Sequence, residues 1–312
     1  MNINEESPSL NRGVYIVAND RVADNAIALL SSLRIHDPDL PVFMIPFDGE
    51  YHYVADVLKR YYQVELFPDL DFLEAFTEKI GEIFPRDFLK LPNKMRKLSA
   101  WFGPLQDFLY IDTDIILFRP VSEVLDFLRE TDFLTCDFHH KGRGLNDVFS
   151  TKILDLGIFS DQELKDVFNS GFWGSRKGLI SLDEMSSLLA ECAKHREYFD
   201  FSSGTTDQPV MNYLVLKSMR RRLNLTRKVE NEPGSWGGSS HFTERKNILF
   251  DGDRSLRYLH WAGTPMRVGG PYRKLWEYYR FRNCSLPLTT ETDAPKLGFV
   301  QKIRRQIKNL VS

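Results

Sequence analysis

The stretch that most constrains the fold of this chain is FLYIDTDIILF, Phe108–Phe118, an apolar run interrupted by two carboxylates. A run this long and rich in Ile, Leu, Phe and Tyr predicts a buried strand. Because an unpaired buried carboxylate is costly, we expect the strand to end at Asp112, with Asp112 and Asp114 projecting from its tip. Residues i and i+2 of an extended chain point the same way, and two converging oxygen ligands suit Mg²⁺ or Mn²⁺.

Three other interpretations of this Asp-x-Asp motif are open at first. An EF-hand loop needs glycine at its sixth position, where this chain has Leu117. A phosphatase-type nucleophile loop usually continues into Thr or Val and Gly, whereas Ile115 and Ile116 follow here. Both interpretations are therefore disfavoured, and the alternative of two surface acids in a loop stays open.

Composition excludes several classes of protein. The 312 residues are 42% apolar and 27% charged, which supports a sizeable core and argues against disorder. A net charge of −2 gives no overall field for nucleic acid. We expect no transmembrane segment, because no apolar run approaches about 18 residues, and no signal peptide, because the start is polar and acidic. Three scattered cysteines fit a reducing cytoplasm.

The first third of the chain alternates short apolar runs with helical patterns. The predicted strands are Gly13–Asp20, Pro41–Phe47 and Val64–Phe67, and the predicted helices are Val22–Ile35 and Tyr51–Tyr61. This β-α-β-α-β order predicts a parallel sheet covered by helices on both faces. Ligands of such sheets bind outside the carboxyl ends of the strands, so we expect Asn19 and Asp112 at the same edge.

Two segments near the motif carry polar residues that could face a ligand. In KMRKLSAWF, Lys94–Phe102, the basic side chains Lys94, Arg96 and Lys97 could reach a diphosphate, or could form a solvated basic face. The run Val167–Ser175 predicts a strand that contains Asn169 and Gly171, and a glycine within a strand often marks a close approach of backbone or ligand.

Two later residues have an ordinary structural alternative. Asp207 stands before Pro209, which is also the pattern of a helix N-cap. His260 ends the apolar run of Ser255–Pro265, where it could be a packed core histidine or a side chain at a strand end.

The chain is predicted to divide into three parts: a polar tail over 1–12, one large domain over 13–283, and a linker with a basic amphipathic helix over 284–312. Within the last part, residues 296–311 place apolar side chains on one helical face and Lys and Arg around the rest. That pattern predicts binding to an anionic membrane surface, and a helix that caps the domain is the alternative.

Taken in order, the motifs YIDTD, FNSG, TTDQ and LHWAG resemble those of glycosyltransferases of the GT-A fold. The chain is most similar to the retaining family 8 type, which includes glycogenin and bacterial lipopolysaccharide galactosyl- and glucosyltransferases. The likeness runs discontinuously from about Gly13 to Trp276. It implies an α/β fold, a Rossmann-like mixed sheet flanked by helices, with a C-terminal helical extension.

The resemblance also implies roles for individual residues. The implied metal ligands for Mn²⁺ or Mg²⁺ are Asp112, Asp114 and His260. The implied residues at the reaction centre are Asp207 and Gln208. The implied contacts of the nucleotide-sugar donor are Ala18, Asn19, Lys97, Asp137, Asn169 and Gly263.

Two features depart from the family pattern. The family commonly has a Lys-Pro pair after His-x-x-Gly, whereas TPMR stands here, so either Arg267 or Lys274 meets the diphosphate or no residue replaces that lysine. The 31 residues between Asp137 and Asn169 exceed the usual link and are expected to shape the acceptor site.

The sequence therefore predicts a metal-dependent glycosyltransferase that moves a hexose, from UDP by family resemblance, to a glycan, lipid-linked or small-molecule acceptor. The expected location is the cytoplasm, with peripheral attachment to the inner face of the membrane. A sugar-phosphate nucleotidyltransferase usually has a Gly-rich loop after its first strand, and ANDRVADN at that place has no glycine. A non-catalytic module that binds nucleotide sugar or glycan is the other alternative.

Overall fold

The structure is a computed structural model that describes residues 12–89, 91–136, 145, 147–201, 207–229, 232–233, 235–264, 266 and 269–282. The predicted contact Asp137, the diphosphate candidate Arg267 and the tail helix at 296–311 lie outside the described residues. No helix in the described part of the chain is both long and apolar enough to cross a membrane.

The strands are β1 (Arg12–Ala18), β2 (Val42–Pro46), β3 (Val64–Leu66), β4 (Asp107–Ile111), β5 (Ile115–Leu117), β6 (Phe133–Thr135), β7 (Phe172–Arg176), β8 (Arg222–Asn224), β9 (Thr243–Arg245), β10 (Ile248–Asp251), β11 (Arg254–Ser255) and β12 (Tyr258–His260). The α-helices are α1 (Ala23–His36), α2 (His52–Tyr62), α3 (Leu70–Ile83), α4 (Ser122–Leu125), α5 (Lys152–Asp155), α6 (Asp161–Leu164), α7 (Leu182–Lys194), α8 (Asp207–Ser218), α9 (Leu225–Lys228) and α10 (Arg273–Arg280). Short 3₁₀ helices cover Asp20–Val22, Pro92–Phe102, Asp126–Arg129 and Arg196–Tyr198.

Among the described residues, seven strands form a mixed sheet in the order β3-β2-β1-β4-β7-β6-β8. Strands β3, β2, β1 and β4 are parallel, as the alternating pattern predicts. Strand β7 is antiparallel to both β4 and β6, and β6 is parallel to β8. The predicted mixed α/β sheet is therefore confirmed.

Strand β4 is buried on both faces, which explains its continuous apolar sequence. Phe108 and Tyr110 point into an aromatic core that includes Trp173, where the Tyr110 and Trp173 rings stack at 5.4 Å between centroids. Leu109 and Ile111 point to the opposite face, into a core shared with helices α1 and α2. Carboxylates can follow only where this two-sided burial ends, directly after Ile111.

A two-stranded sheet outside the main one brings distant parts of the chain together. Strands β5 and β12 are antiparallel, with Ile115 opposite His260 and Leu117 opposite Tyr258. His260 therefore lies at the same end of this ladder as Asp114, which directly precedes β5. The histidine is a strand-end residue, one of the two positions that its sequence context allows.

Two expectations from the sequence are wrong in detail. Strand β7 begins at Phe172, so Asn169 and Gly171 precede the strand instead of lying within it. Arg96 is buried and does not face a diphosphate or solvent, because its guanidinium binds Thr77 Oγ1, the Pro46 carbonyl and the Glu74 carboxylate. A solvated basic face is therefore excluded for Arg96, and Lys97 is buried as well.

Candidate active site

Three predicted metal ligands converge at the carboxyl end of β4. One ligand atom each from Asp112, Asp114 and His260 lies within 4.8 Å of the others. His260 Nε2 is 3.2 Å from Asp114 Oδ1. The imidazole is nearly buried, whereas the two carboxylates are about one-third exposed, at 30% and 33%. The cluster is therefore rigid on the His260 side and open to a ligand on the carboxylate side.

Backbone hydrogen bonds hold the loop between β4 and β5 in this position. The Asp112 amide donates to the Gly171 carbonyl at 2.8 Å, and the Trp261 amide donates to the Asp114 carbonyl at 3.1 Å. The Asp112 side chain also accepts a 2.5 Å hydrogen bond from the Tyr110 hydroxyl. Both acids of the motif are thus fixed by residues outside it.

Gly171 lies between the side chains of His260 and Asp112, where only glycine fits. A Cβ atom at this position would lie 2.3 Å from His260 Cε1 and 2.9 Å from Asp112 Oδ2. The histidine and the carboxylate could not approach each other across any larger residue. The close approach that a glycine here suggests is therefore that of two predicted metal ligands, His260 and Asp112.

The donor set fits a divalent cation of the Mn²⁺ or Mg²⁺ type. Carboxylate oxygens suit both ions, and an imidazole nitrogen favours a softer ion such as Mn²⁺ over Mg²⁺. The three ligands leave further coordination positions for water or phosphate oxygens. A structural zinc site is disfavoured, because it would use four closed ligands from Cys and His.

A second group of charges lies beside the cluster, around Lys97. The Lys97 ammonium is 3.0 Å from Asp207 Oδ2 and 3.6 Å from Asp112 Oδ1, and it donates to Ser170 Oγ at 3.5 Å. Asp207 is the first residue of α8. Lys97 therefore links the metal cluster to the acid that family resemblance assigns to the reaction centre.

The charges in this site set the ionisation of its acids. Burial alone would lower the pKa of Lys97, but the carboxylates of Asp112 and Asp207 raise that pKa above its usual range. Desolvation disfavours the charge on Asp207, but Lys97 outweighs it and lowers the pKa of this carboxyl. Both members of the pair are therefore charged at neutral pH.

The two acids of the motif differ from each other. Desolvation has the largest effect on the pKa of Asp112 and raises it. The attraction of Lys97 opposes this effect, and the negative charge of Asp114 raises the pKa by a smaller amount. Desolvation also acts on Asp114, but the attraction of His260 lowers the pKa of that carboxyl. The pair carries more negative charge than its surroundings neutralise, which favours binding of a cation.

Asn169, Ser170 and Gln208 border the same site. The Asn169 side chain accepts from the Gly171 amide at 2.9 Å, so it stabilises the turn that leads into β7. The Ser170 amide donates to Gln208 Oε1 at 3.4 Å, and the Ser170 hydroxyl donates to Asp207 Oδ2 at 3.5 Å. The structure thus brings Asn169, Asp207 and Gln208 together at one edge of the sheet.

The predicted nucleotide contacts lie where β1 ends. The Ala18 carbonyl accepts from the Phe47 amide at 2.8 Å, and Asn19 Nδ2 donates to Asp48 Oδ2 at 2.8 Å. Because a carboxylate only accepts hydrogen bonds, Asp48 fixes the orientation of the Asn19 amide. Gly263 follows β12 in a turn with φ +64°, a conformation that favours glycine.

The structure also identifies residues that the sequence reasoning passed over. Tyr110 binds Asp112 directly, and its place two residues earlier on the same face of β4 is a signal that could have found it. Ser170 lies in the FNSG motif, for which the resemblance implies a role only at Asn169. Ser235 accepts from the His260 amide at 2.7 Å, and no sequence pattern predicts this contact.

Comparisons with known proteins support the fold. No protein-family model and no curated protein matches the sequence. Among solved structures, the apo form of the bifunctional glycosyltransferase WbbM matches with a TM-score of 0.58 and 14% identity, over 89% of this chain and 50% of WbbM. The chain therefore spans half the length of that protein.

The galactosyltransferase LgtC matches over nearly its whole length. Its complex with donor and acceptor sugar analogues gives a TM-score of 0.57 and 16% identity, over 88% of this chain and 98% of LgtC. An active-site mutant of LgtC gives a TM-score of 0.60 and 14% identity over the same shares. At these identities the likeness concerns the fold, and this chain has the GT-A fold of these glycosyltransferases, as its motifs predict.

Proposed function

We propose that this protein is a metal-dependent glycosyltransferase that transfers a hexose from a UDP-linked donor, with retention of configuration. The observation that carries the proposal is the convergence of Asp112, Asp114 and His260 at the ligand-binding edge of a GT-A sheet. The match to LgtC, solved with donor and acceptor sugar analogues, supports it over nearly the full length of that enzyme.

The three ligands would hold Mn²⁺ or Mg²⁺. The bound cation supplies positive charge that offsets the charge of the departing nucleoside diphosphate. Tyr110 and Gly171 keep the ligands in place, the first by donating to Asp112 and the second by leaving room for His260.

Lys97 and Asp207 would act on the sugar. Lys97 keeps Asp207 ionised at a distance of 3.0 Å. An ionised carboxylate that faces the anomeric carbon stabilises positive charge as the bond to the diphosphate breaks, and Gln208, the next residue, would hold a hydroxyl or the acceptor. Positioning of the donor by Asn169, and by Asp137 outside the described residues, lowers the entropic cost of the reaction.

At the other end of the donor, Ala18 and Asn19 would contact the uracil ring, and Gly263 would allow the chain to pass close to the diphosphate. The acceptor is a glycan, a lipid-linked sugar or a small molecule. We place the protein in the cytoplasm, with residues 296–311 at an anionic membrane surface, a proposal supported by the sequence pattern of that segment.

Donor hydrolysis tests the proposed function directly. The purified protein is incubated with UDP-, GDP- and dTDP-hexoses in Mn²⁺ or in EDTA, and the released nucleoside diphosphate is quantified. We expect release from one UDP-hexose only when the metal is present, and loss of that release in Asp114→Asn. Anomeric configuration of the product, followed by NMR, tests retention.

Release from no donor, together with no Mn²⁺-dependent donor binding by calorimetry, would contradict the transferase assignment. Donor binding without release, with or without a panel of acceptor sugars, would instead favour the non-catalytic binding module.

The membrane proposal is tested by cosedimentation of the protein with phosphatidylglycerol vesicles, compared with cosedimentation with neutral phosphatidylcholine vesicles. The control variant has Arg304 and Arg305 replaced by Glu.

A further inference from the structure

A buried carboxylate, Glu232, lies between α9 and β9 in the chain and pairs with residues next to β5 and β12. The Glu232 side chain is 1% exposed. It accepts from Arg257 Nε at 3.0 Å and from Arg119 Nη1 at 3.3 Å. A buried carboxylate is costly unless it is paired, and two arginines pair this one.

The two arginines mark one end of the β5–β12 ladder. Arg119 follows β5, and Arg257 directly precedes β12. Asp114 and His260 lie at the other end of the same ladder. Glu232 therefore joins the ends of the two strands that lie farthest from the metal ligands.

Glu123 completes the charge balance of this cluster. Its Oε2 is 3.6 Å from Arg257 Nη1 and 3.9 Å from Arg119 Nη2, and its side chain is 55% exposed. Two carboxylates thus face two guanidinium groups, so the cluster is neutral. Of the two carboxylates, Glu232 is buried and Glu123 is exposed.

Two residues that follow Glu232 closely in the sequence contact the backbone of the proposed metal ligand His260. The Ser235 carbonyl accepts from the His260 amide at 2.7 Å, and the Gly237 amide donates to the His260 carbonyl at 2.7 Å. Both backbone polar groups of His260 are thus held by residues three and five positions after Glu232. Trp236, between them, donates from its indole to the Ala262 carbonyl at 3.0 Å.

We infer that Glu232 is a positioning residue of the metal centre: its pairing with Arg119 and Arg257 anchors the chain three positions before Ser235, and Ser235 and Gly237 fix the backbone of His260 opposite Asp114. The inference rests on the metal centre of the proposed function and adds a residue that its motifs do not contain. Residues that orient metal ligands from behind typically affect metal affinity about 10–100-fold.

The test is Mn²⁺ affinity of the metal-free full-length protein, measured by the EPR signal of free Mn²⁺ during titration. Glu232→Gln keeps the shape of the side chain and removes its charge. We expect the dissociation constant for Mn²⁺ to rise about tenfold or more. Circular dichroism and thermal unfolding of the same samples show whether the variant is folded at the titration temperature.

Two control variants separate positioning from general stability. Glu123→Gln removes a carboxylate from the same arginines without changing Glu232, Ser235 or Gly237, and we expect a change in Mn²⁺ affinity below threefold. Asp132→Asn removes another buried carboxylate paired with two arginines, Arg221 and Arg176, beyond the opposite end of β7. We expect that variant to lose stability and keep its Mn²⁺ affinity.

A folded Glu232→Gln protein that binds Mn²⁺ as the wild type does would overturn the inference alone, and an equal loss of affinity in Asp132→Asn would overturn it as well. Wild-type protein that binds no Mn²⁺ would overturn both the inference and the proposed metal centre. If Glu232→Gln does not fold, Arg119→Gln decides. Because the Arg119 side chain is partly exposed, this substitution is expected to destabilise the fold less. We expect it to weaken Mn²⁺ binding at least threefold, and unchanged binding would refute the inference.

Discussion

The two ends of the β4–β7 pair both carry clustered charges, yet the clusters are built in opposite ways. At one end, the carboxylates of Asp112, Asp114 and Asp207 face a single ammonium, Lys97, and the imidazole of His260. Negative charge exceeds positive charge even when the histidine is protonated, and the pKa of Asp112 is raised, first by burial.

At the other end, one carboxylate meets two guanidinium groups. Asp132 Oδ1 is 2.6 Å from Arg221 Nη2 and 3.2 Å from Arg176 Nη2, and Asp132 Oδ2 accepts from the Arg221 amide. This carboxylate has its partners within the chain. The comparison teaches that carboxylates outnumbering their cationic partners, more than a high density of charges, distinguish a site prepared for a cation from an ion pair that stabilises the fold.

The largest effect that would sharpen this contrast is expected for Asp112→Asn. Loss of a metal ligand should lower donor turnover by about 10²–10³-fold, since the charge stabilisation from a bound metal is worth several kcal/mol. The metal-free variant should be as stable as the wild type or more stable, because the fold disfavours the charge on Asp112. Turnover and urea unfolding in EDTA measure the two quantities, and a strong loss of metal-free stability would break the comparison.

Lys97→Met is expected to lower turnover by about 100-fold. The substitution removes the cation 3.0 Å from Asp207 and leaves the acids of the site with less compensation. Lys97→Arg keeps the charge and should retain more activity than Lys97→Met. The turnover of the two variants is compared by steady-state kinetics with the nucleotide sugar that the wild type hydrolyses. Equal activities would show that the charge of Lys97 does not contribute to turnover.

Mn²⁺ should stabilise the protein by binding at the cluster of Asp112, Asp114 and His260, and not at Asp132. At a free concentration 100 times its dissociation constant, a ligand that binds only the folded state adds about 2.7 kcal/mol to the free energy of unfolding. Thermal unfolding with and without Mn²⁺ should show this gain in the wild type and in Asp132→Asn, but not in Asp112→Asn. A gain that survives in Asp112→Asn would place the ion elsewhere.

Asp132→Asn should give the smallest effect, a loss of about 1–2 kcal/mol in the free energy of unfolding at pH 7, reduced by the exposure of Arg221. Desolvation opposes the charge on Asp132, but Arg221 outweighs it and lowers the pKa of this carboxyl below its unfolded value. The stabilisation is therefore complete above the unfolded pKa of about 3.9 and is lost as the pH falls through the folded pKa. Urea unfolding from pH 7 to pH 3 should show the two proteins converging in acid, and a constant difference would contradict this origin.

Local sequence patterns were sufficient to predict the site where a buried apolar strand ends in a polar residue. The apolar run before Asp112 predicts a strand end with a polar side chain at its tip, the run that ends at His260 allows one, and both are found. The carboxyl edge follows from the chain order of strands and helices. These features depend on neighbouring residues, which a sequence displays directly.

The rest of the site depends on contacts between distant residues, and local patterns do not contain that information. Arg96 is basic by sequence but buried in the structure, because Thr77 and the Pro46 carbonyl surround it. Glu232 pairs with Arg119, 113 positions earlier in the chain. Which side chains meet across such separations is decided by the packing of the whole domain.

The pairing of β5 with β12 has a consequence for the order in which the protein is made. His260 leaves the ribosome 146 residues after Asp114. At a synthesis rate of about 5–20 residues per second, the nascent chain waits about 7–30 s with two of the three proposed ligands synthesised. By the end of that interval the main sheet can form as far as β8, whereas the proposed metal site is completed only when β12 arrives.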